Sequence, residues 1–447
     1  MIEEKDARNI TDAILRRCHG NPAEVNLMTN DSALTRFANN IIHQNVAERD
    51  TWITLRYFIG KQIGTASTNR LDEAGLEGLV EHARVNAKAS PEDPNYPGLP
   101  EPQTCSRVAS WDVETASYSP EKRARVVGVV CKLAKEKGLN ASGAITTGSG
   151  ELVVANSEGV FTYHTQTNAD FQTVVMSDDS SGWAQESAWK VADLDVEALG
   201  RQAIDTAMRG HNPVKIDPGD YTVVLEHYVT EDLVGSLNFS GMSAQAVNEG
   251  RSWMNDRIGE QLMGPQVSIW DDGLDVRGAP LPFDFEGVPK QRVDIVRKGV
   301  VMGPVYDRYN GAKMGKPSTG HAPPINFRGF GPLALNLFMA TGDQDVPEMI
   351  SSTKKGLYIN RFWYTRIVHP RECVMTGMTR DGIFMIEDGE LTFPVKNLRF
   401  TMSYVKALAN VEAVGKHTHL LVGEFGGISS HVPALKINGF TFTGSTI

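Results

Sequence analysis

The sequence predicts an α+β protein, with an α/β N-terminal domain over residues 1–215 and a β-rich, mostly antiparallel C-terminal domain over residues 216–447. Three observations carry this. At 447 residues the chain exceeds what a single core usually serves, so two domains are the default expectation. Helical and strand periodicities alternate through the first half, whereas the second half is a series of short alternating runs cut by Gly, Pro, Asn and Asp. Between the halves, HNPVKIDPGD (211–220) is polar and carries Pro and Gly, as a boundary does.

The first element is a helix over 3–19. AEVNLMTN and SALTRFANNIIHQ follow, and DTWITLRYFIG and KQIGTAST alternate apolar and polar residues as half-buried strands do, with Gly60 at a tight turn between them. Leu71, Leu76, Leu79, Val80 and Ala83 give residues 71–88 the apolar face of a helix. SPEDPNYPGLPEP (90–102) has too many prolines for a helix or a central strand and reads as a loop. Residues 119–138 have a capping Ser119, Pro120 at the first helical position and Gly138 as a stop. Strand-like runs ASGAITTG, GELVVANSEG and VFTYHTQTNADFQTVVM come next, and a helix over 192–210 ends at Gly210.

In the second half the clearest strands are VPKQRVDIVRKGVVMGPVYD, KGLYINRFWYTRIVHP, RDGIFMIEDGELTFPVKNLRF and VPALKINGFTFTG. Glu387-Asp388-Gly389 supplies a hairpin turn. Helices are expected around 226–237, 243–262, 345–355 and 403–410, and no repeat of 20–50 residues is visible.

Composition narrows the function. Hydrophobic residues make up 41% and charged residues 22%, an ordinary globular balance. No long apolar run predicts a membrane helix, and the mixed-charge start MIEEKDARNITDAILRR is unlike a secretion signal, so a cytoplasmic protein with no membrane partner is expected. Cys18, Cys105, Cys131 and Cys373 lie far apart with no C-x-x-C pair, as free thiols do. A net charge of −10 without a run of Lys or Arg argues against nucleic-acid binding.

Several motifs fail on inspection. GAKMGKPST (311–319) is no phosphate loop, because Asn310 replaces the first glycine and Pro317 stands where Ser or Thr must bind magnesium. No G-x-S-x-G elbow is present, and WDDGLDVRG lacks the closing Glu of a calcium loop. His417 and His419 could share a strand face and, with His431 nearby, offer a metal pair, against the simpler reading of a polar turn. The sharpest candidate is VVLEHYVTEDLVG (223–235), which places Glu226, His227, Glu231 and Asp232 within seven positions. As an amphipathic helix it would bury Val223, Val224, Leu225, Val229, Leu233 and Val234 and wet Glu226, Glu231 and Asp232.

SALTRFANNIIHQ, SDDSSGWA, PGDYTVVLE, GRSWMNDRIGEQL, PFDFEGVP, STKKGLYINRF, IEDGELTFPVKN and PALKINGFTFTG together resemble, nearly end to end, the TldD/PmbA (TldE) proteins, also called modulators of DNA gyrase. GRSWMNDRIGEQ and INGFTFTG are nearer the PmbA/TldE branch. The resemblance implies a dimeric metallopeptidase complex in which a TldD-type subunit holds zinc through an H-E-x-x-x-H helix and a C-terminal cysteine, with the Glu as general base.

Carried onto this chain between VVL and L-x-G, the first histidine falls on Glu226, the glutamate on His227 and the second histidine on Glu231, while the cysteine falls on Phe425. All four positions are changed, so the resemblance implies a degenerate zinc site and a chain inactive by itself. It implies no cofactor here and zinc in a TldD-like catalytic partner, in a heterodimer or else a homodimer, acting on unfolded peptides. Candidate cavity residues are Lys316 and His321 in the loop 311–323 and Gly426, Gly427 and His431 in the segment 423–431. The alternatives are a self-sufficient metal-dependent peptidase rewired around Glu226, His227 and Glu231, with His417, His419 or His431, and a non-enzymatic protein-binding regulator.

Overall fold

The computed structural model describes residues 2–423 and 428–445. It begins with α1 (Glu4–Arg17), whose acidic first turn and basic last turn complement the helix dipole and whose Ala7, Thr11 and Ile14 are buried. Strands β1 (Ala23–Ala38), β2 (Ile41–Ile59) and β3 (Gln62–Thr68) follow, then α2 (Glu73–Ala89), capped by Asp72 through the Gly75 amide at 2.8 Å. The Pro-rich stretch is a loop leading to α3 (Val113–Ala116) and α4 (Pro120–Glu136). Next come β4 (Asn140–Asn156), β5 (Phe161–Met176), β6 (Ser181–Ala188) and α5 (Val196–Arg209).

These six strands form one antiparallel sheet in the order β3-β2-β1-β4-β5-β6. The sheet contains the same unit twice: helix, three-stranded meander, helix, as α1-β1-β2-β3-α2 and again as α4-β4-β5-β6-α5, joined at the central β1–β4 pair. Each unit has its own core. In each, a glycine of the third strand admits the closing helix: Gly64 lies against Ala83 and Ala87 of α2, and Gly182 against Ala203 and Ala207 of α5. The period is too long to show as short-range self-similarity.

From β7 (Gly219–Leu225) onward the strands belong to a second, eleven-stranded sheet. Its other members are β8 (Ile269–Asp271), β9 (Val293–Arg297), β10 (Val300–Val301), β11 (Asn336–Met339), β12 (Lys355–His369), β13 (Val374–Glu387), β14 (Glu390–Pro394), β15 (Leu398–Ser403), β16 (Val411–Val422) and β17 (Ser429–Ser445). Pairing is antiparallel except β7–β12 and β11–β17. The pairings β7–β12–β13–β15–β17–β7 close a ring. Phe362, Phe400, Phe440 and Phe442 of these strands pack together, with Phe362 and Phe400 centroids 4.2 Å apart. Asp388 (φ +48°) and Gly389 (φ +85°) make the hairpin turn expected there.

The helices of this half are α6 (His227–Leu237), α7 (Ala244–Asn248), α8 (Arg308–Lys313), α9 (Val346–Ser351) and α10 (Tyr404–Ala409). The helix expected over 243–262 is corrected: α7 stops at Asn248, and the chain turns through Gly250, Asp256 and Gly259, all at positive φ. Trp253 and Met254 mimic a helical apolar face but are buried from within these turns. No helix among the described residues is long and apolar enough to cross a membrane.

The two sheets meet through buried ions. Arg56 of β2 reaches Glu24 at 3.1 Å and Glu286 at 3.5 Å, and Arg328 reaches the same two carboxylates at 3.1 and 3.2 Å. His164 of β5 contacts the Pro280 carbonyl through Nε2 at 3.0 Å and stands edge-on to Phe283.

Candidate functional site

Strand β7 delivers Val223, Val224 and Leu225 into the core and is followed at once by Glu226, whose amide donates to the Ile359 carbonyl at 3.0 Å. Glu226 stands at the N-cap of α6 without capping it through its side chain. Its carboxylate instead accepts from Tyr358 Oη at 3.0 Å and lies 3.2 Å from His227 Nδ1. Burial pushes the Glu226 carboxyl up, but the His227 and Tyr358 hydrogen bonds and the nearby imidazoles outweigh it and hold it below the usual range. Burial and the same carboxylate push the Tyr358 phenol well up, so it stays a donor.

His227 is buried, which pushes its imidazole down and favours the neutral ring. The ring stacks on His419 at 4.0 Å with an interplanar angle of 22°. Its Nε2 has no partner among the described residues. His419 Nδ1 in turn lies 3.0 Å from Glu186 Oε1 on β6, and Tyr228 Oη accepts from the neighbouring Gln185 amide at 3.1 Å. The start of α6 is therefore a polar relay, Tyr358–Glu226–His227 stacked on His419–Glu186, tied to both sheets.

The wet side expected for the segment is corrected for two of its three residues. Glu226 sits in this relay, and Asp232 accepts from Tyr404 Oη at 2.6 Å and from Thr365 Oγ1. Glu231 is half-buried, and a Cβ on Gly423 would lie 2.9 Å from its Oε1, so this carboxylate rests against the chain just before residue 424. Phe425, Gly426 and Gly427 lie outside the described residues.

The remaining candidates are scattered. Lys316 is exposed. His321, expected to line a cavity, is instead wholly buried, with Nε2 2.8 Å from Asp271 and Nδ1 2.9 Å from Thr319, and with Lys290 3.5 Å from the same aspartate. His417 is exposed, while His431 packs on Phe338 and is pushed down to about 4 by burial and by the Arg277 charge. Among the described residues, no three His, Cys, Asp or Glu side chains gather as a metal-binding group.

A catalytic zinc asks for three ligands, preferably His nitrogen or Cys sulfur, and an open position. Here His227 Nε2 is the one open nitrogen, and among the described residues no further His, Cys, Asp or Glu side chains gather with it as a ligand set. The residues present do not fit that metal. Of the three histidines the sequence offered as partners for the α6 segment, His419 is the one that reaches His227; Tyr358 and Glu186 were missed, since no spacing links β12 and β6 to it.

Models of three PmbA/TldA metallopeptidase domains match this chain: domain 1 over residues 23–87, the central domain over 112–210 and the C-terminal domain over 218–444. The metalloprotease PmbA of Escherichia coli O157:H7 is 22% identical over 79% of this chain and 78% of its own length. A metalloprotease TldD homologue of Haemophilus influenzae is 25% identical over 58% of this chain, and the match spans only 55% of that relative's length. TldE from Thermococcus kodakarensis has the same fold, with a TM-score of 0.88 at 19% identity over 97% of this chain and 100% of that one.

Proposed function

The chain belongs to the PmbA/TldD metallopeptidase family, and on that premise we propose that it is the zinc-free, non-catalytic subunit of a TldD/TldE-type complex that degrades or processes unfolded peptides. The observation that carries this reading is the first turn of α6. Where the family's zinc helix needs histidines free to ligate, Glu226 is engaged by Tyr358 and His227, and His227 is stacked on His419. These side chains hold the helix in place between the two sheets. Peptide-bond cleavage then falls to a TldD-like partner, and this chain contributes wall and anchorage to the cavity an extended peptide enters.

Zinc loading, desalting and elemental mass spectrometry test this. Well under one zinc per chain is expected, with peptide hydrolysis appearing only when a family chain bearing H-E-x-x-x-H is added. A rewired metal site is the second reading, favoured by one atom, the unpartnered His227 Nε2. About one zinc per chain, lost in the Glu226→Ala/Glu231→Ala double variant, would select it.

A further inference from the structure

Strand β15 (398–403) and the adjoining halves of its neighbour β13 (374–380) and, next beyond, β12 (361–369) carry four arginines, Arg361, Arg366, Arg380 and Arg399, and no Asp or Glu. This stands out in a chain of net charge −10. On β12 four large apolar side chains lie close together and exposed: Trp363 at 36%, Tyr364 at 67%, Ile367 at 49% and Val368 at 56%. Guanidinium groups lie over the two rings, Arg361 and Arg380 at 4.9 and 5.1 Å from Trp363 and Arg366 at 4.3 Å from Tyr364. Strand β7 accompanies β12 only from Gly356 to Ile359, and beyond that β13 is its single strand partner among the described residues.

We infer that this face docks the partner subunit, a different chain that presents an apolar segment flanked by carboxylates. The inference rests on the subunit reading above and adds the surface and the chemistry of the partner. A cluster of exposed Trp, Tyr and aliphatic side chains with an arginine rim is the composition of an interface hot spot, not of a solvated strand. A second copy is the poorer occupant, because a two-fold contact brings the same patch to both sides and sets Arg366 and Arg399 against their own counterparts. Nucleic acid is poorer still: Arg361 is paired with Asp381 at 2.5 Å, Arg380 lies 3.8 Å from the same carboxylate, and the whole chain repels a polyanion.

The backbone fits docking through side chains. The register breaks between Trp363 and Arg366, where Tyr364 takes φ +57°. Such a bulge blunts runaway strand pairing while re-aiming a side chain. Thr365, inside the bulge, donates to Asp232 of α6, so a chain seated here lies beside the helix whose first turn is the candidate site.

The test uses the full chain and a TldD-type chain carrying H-E-x-x-x-H from the same genome, with the Kd read by interferometry and the mass of the complex by light scattering. Tyr364→Ser/Ile367→Asp is expected to weaken the complex at least tenfold with an unchanged near-ultraviolet dichroism spectrum. Trp52→Ser, at another exposed aromatic, is expected to leave the Kd alone. Arg366→Glu/Arg399→Glu is expected to slow association several-fold and flatten its salt dependence. A complex kept at full strength by the Tyr364/Ile367 variant overturns the inference and leaves the subunit reading standing. No complex with the unaltered chain overturns both. Self-association, or binding of a single-stranded oligonucleotide, that the same variant abolishes would assign the face to those occupants and overturn the inference.

Discussion

At the scale of residues, the relay at α6 turns on one carboxylate. Glu226→Gln keeps the shape but removes the charge, so the Tyr358 hydroxyl and His227 Nδ1 compete for one amide oxygen while an amide NH2 enters a space built for acceptors. A loss of about 1–3 kcal/mol is expected, read as a lower urea midpoint at pH 7. The sign of its pH dependence follows from the depressed carboxyl. Its contribution is fully present above the ordinary glutamate value of about 4.3 and fades as pH falls through the lower folded value, so the gap between Glu and Gln should close in acid. A gap that stays constant down to pH 3 would remove charge from the explanation. The sequence singled out Glu226, His227 and Glu231 as candidates, and placed Glu226, Glu231 and Asp232 in water. Periodicity assigns a residue to a helix face, but it cannot see Tyr358, Thr365 and Tyr404 arriving from elements more than a hundred residues away to cover that face.

Among elements, the duplicated helix–meander–helix unit rests on two glycines in equivalent places. A Cβ at Gly64 would overlap backbone atoms of Ala83 and Ala87, and one at Gly182 backbone of Ala203 and Ala207 together with the Thr206 side chain. Backbone cannot step aside as the tip of a flexible side chain can. Gly64→Ala and Gly182→Ala are each expected to cost about 1–3 kcal/mol or more by pushing the closing helix off its strand. Gly78→Ala is the contrast: it lies in the interior of α2 with open space around it and should gain about 0.5–1 kcal/mol. Thermal unfolding of the three variants decides this, and equal shifts would refute the close-approach argument. Most elements of this half were legible because their signals are local: Ser119 as a cap, Pro120 at the first turn it opens, Gly60 at positive φ. The duplication was not legible, since it is a likeness of packing between segments with little residue identity. The false helix over 243–262 arose the same way, from buried apolar residues whose burial is set by turns.

In the whole molecule, the two sheets are joined by groups whose charge depends on pH, and His164 is the clearest of them. It is buried between Ser110 and Pro280, with Phe283 edge-on, and burial pushes its imidazole down to about 4. Unfolded, the same ring titrates near 6.5, so between these values the unfolded chain binds the extra proton. The stabilising contribution is therefore complete above about pH 6.5 and is lost as pH falls, by about 2 kcal/mol at pH 5 and about 3 kcal/mol near pH 4. His431, held near 4 for a similar reason, adds a smaller loss in the same direction because it is only half-buried. Replacing His164 by Gln tests the assignment. The amide can still donate to the Pro280 carbonyl but cannot take up a proton, so the variant is less stable at pH 7 yet loses less between pH 7 and 5. Urea midpoints for the two proteins across that range should converge as pH drops. Parallel curves would mean that the acid sensitivity lies elsewhere, with Glu286 next in line: burial pushes its carboxyl up, but Arg328 and Arg56 hold it below the usual range, so protonating it weakens both pairs.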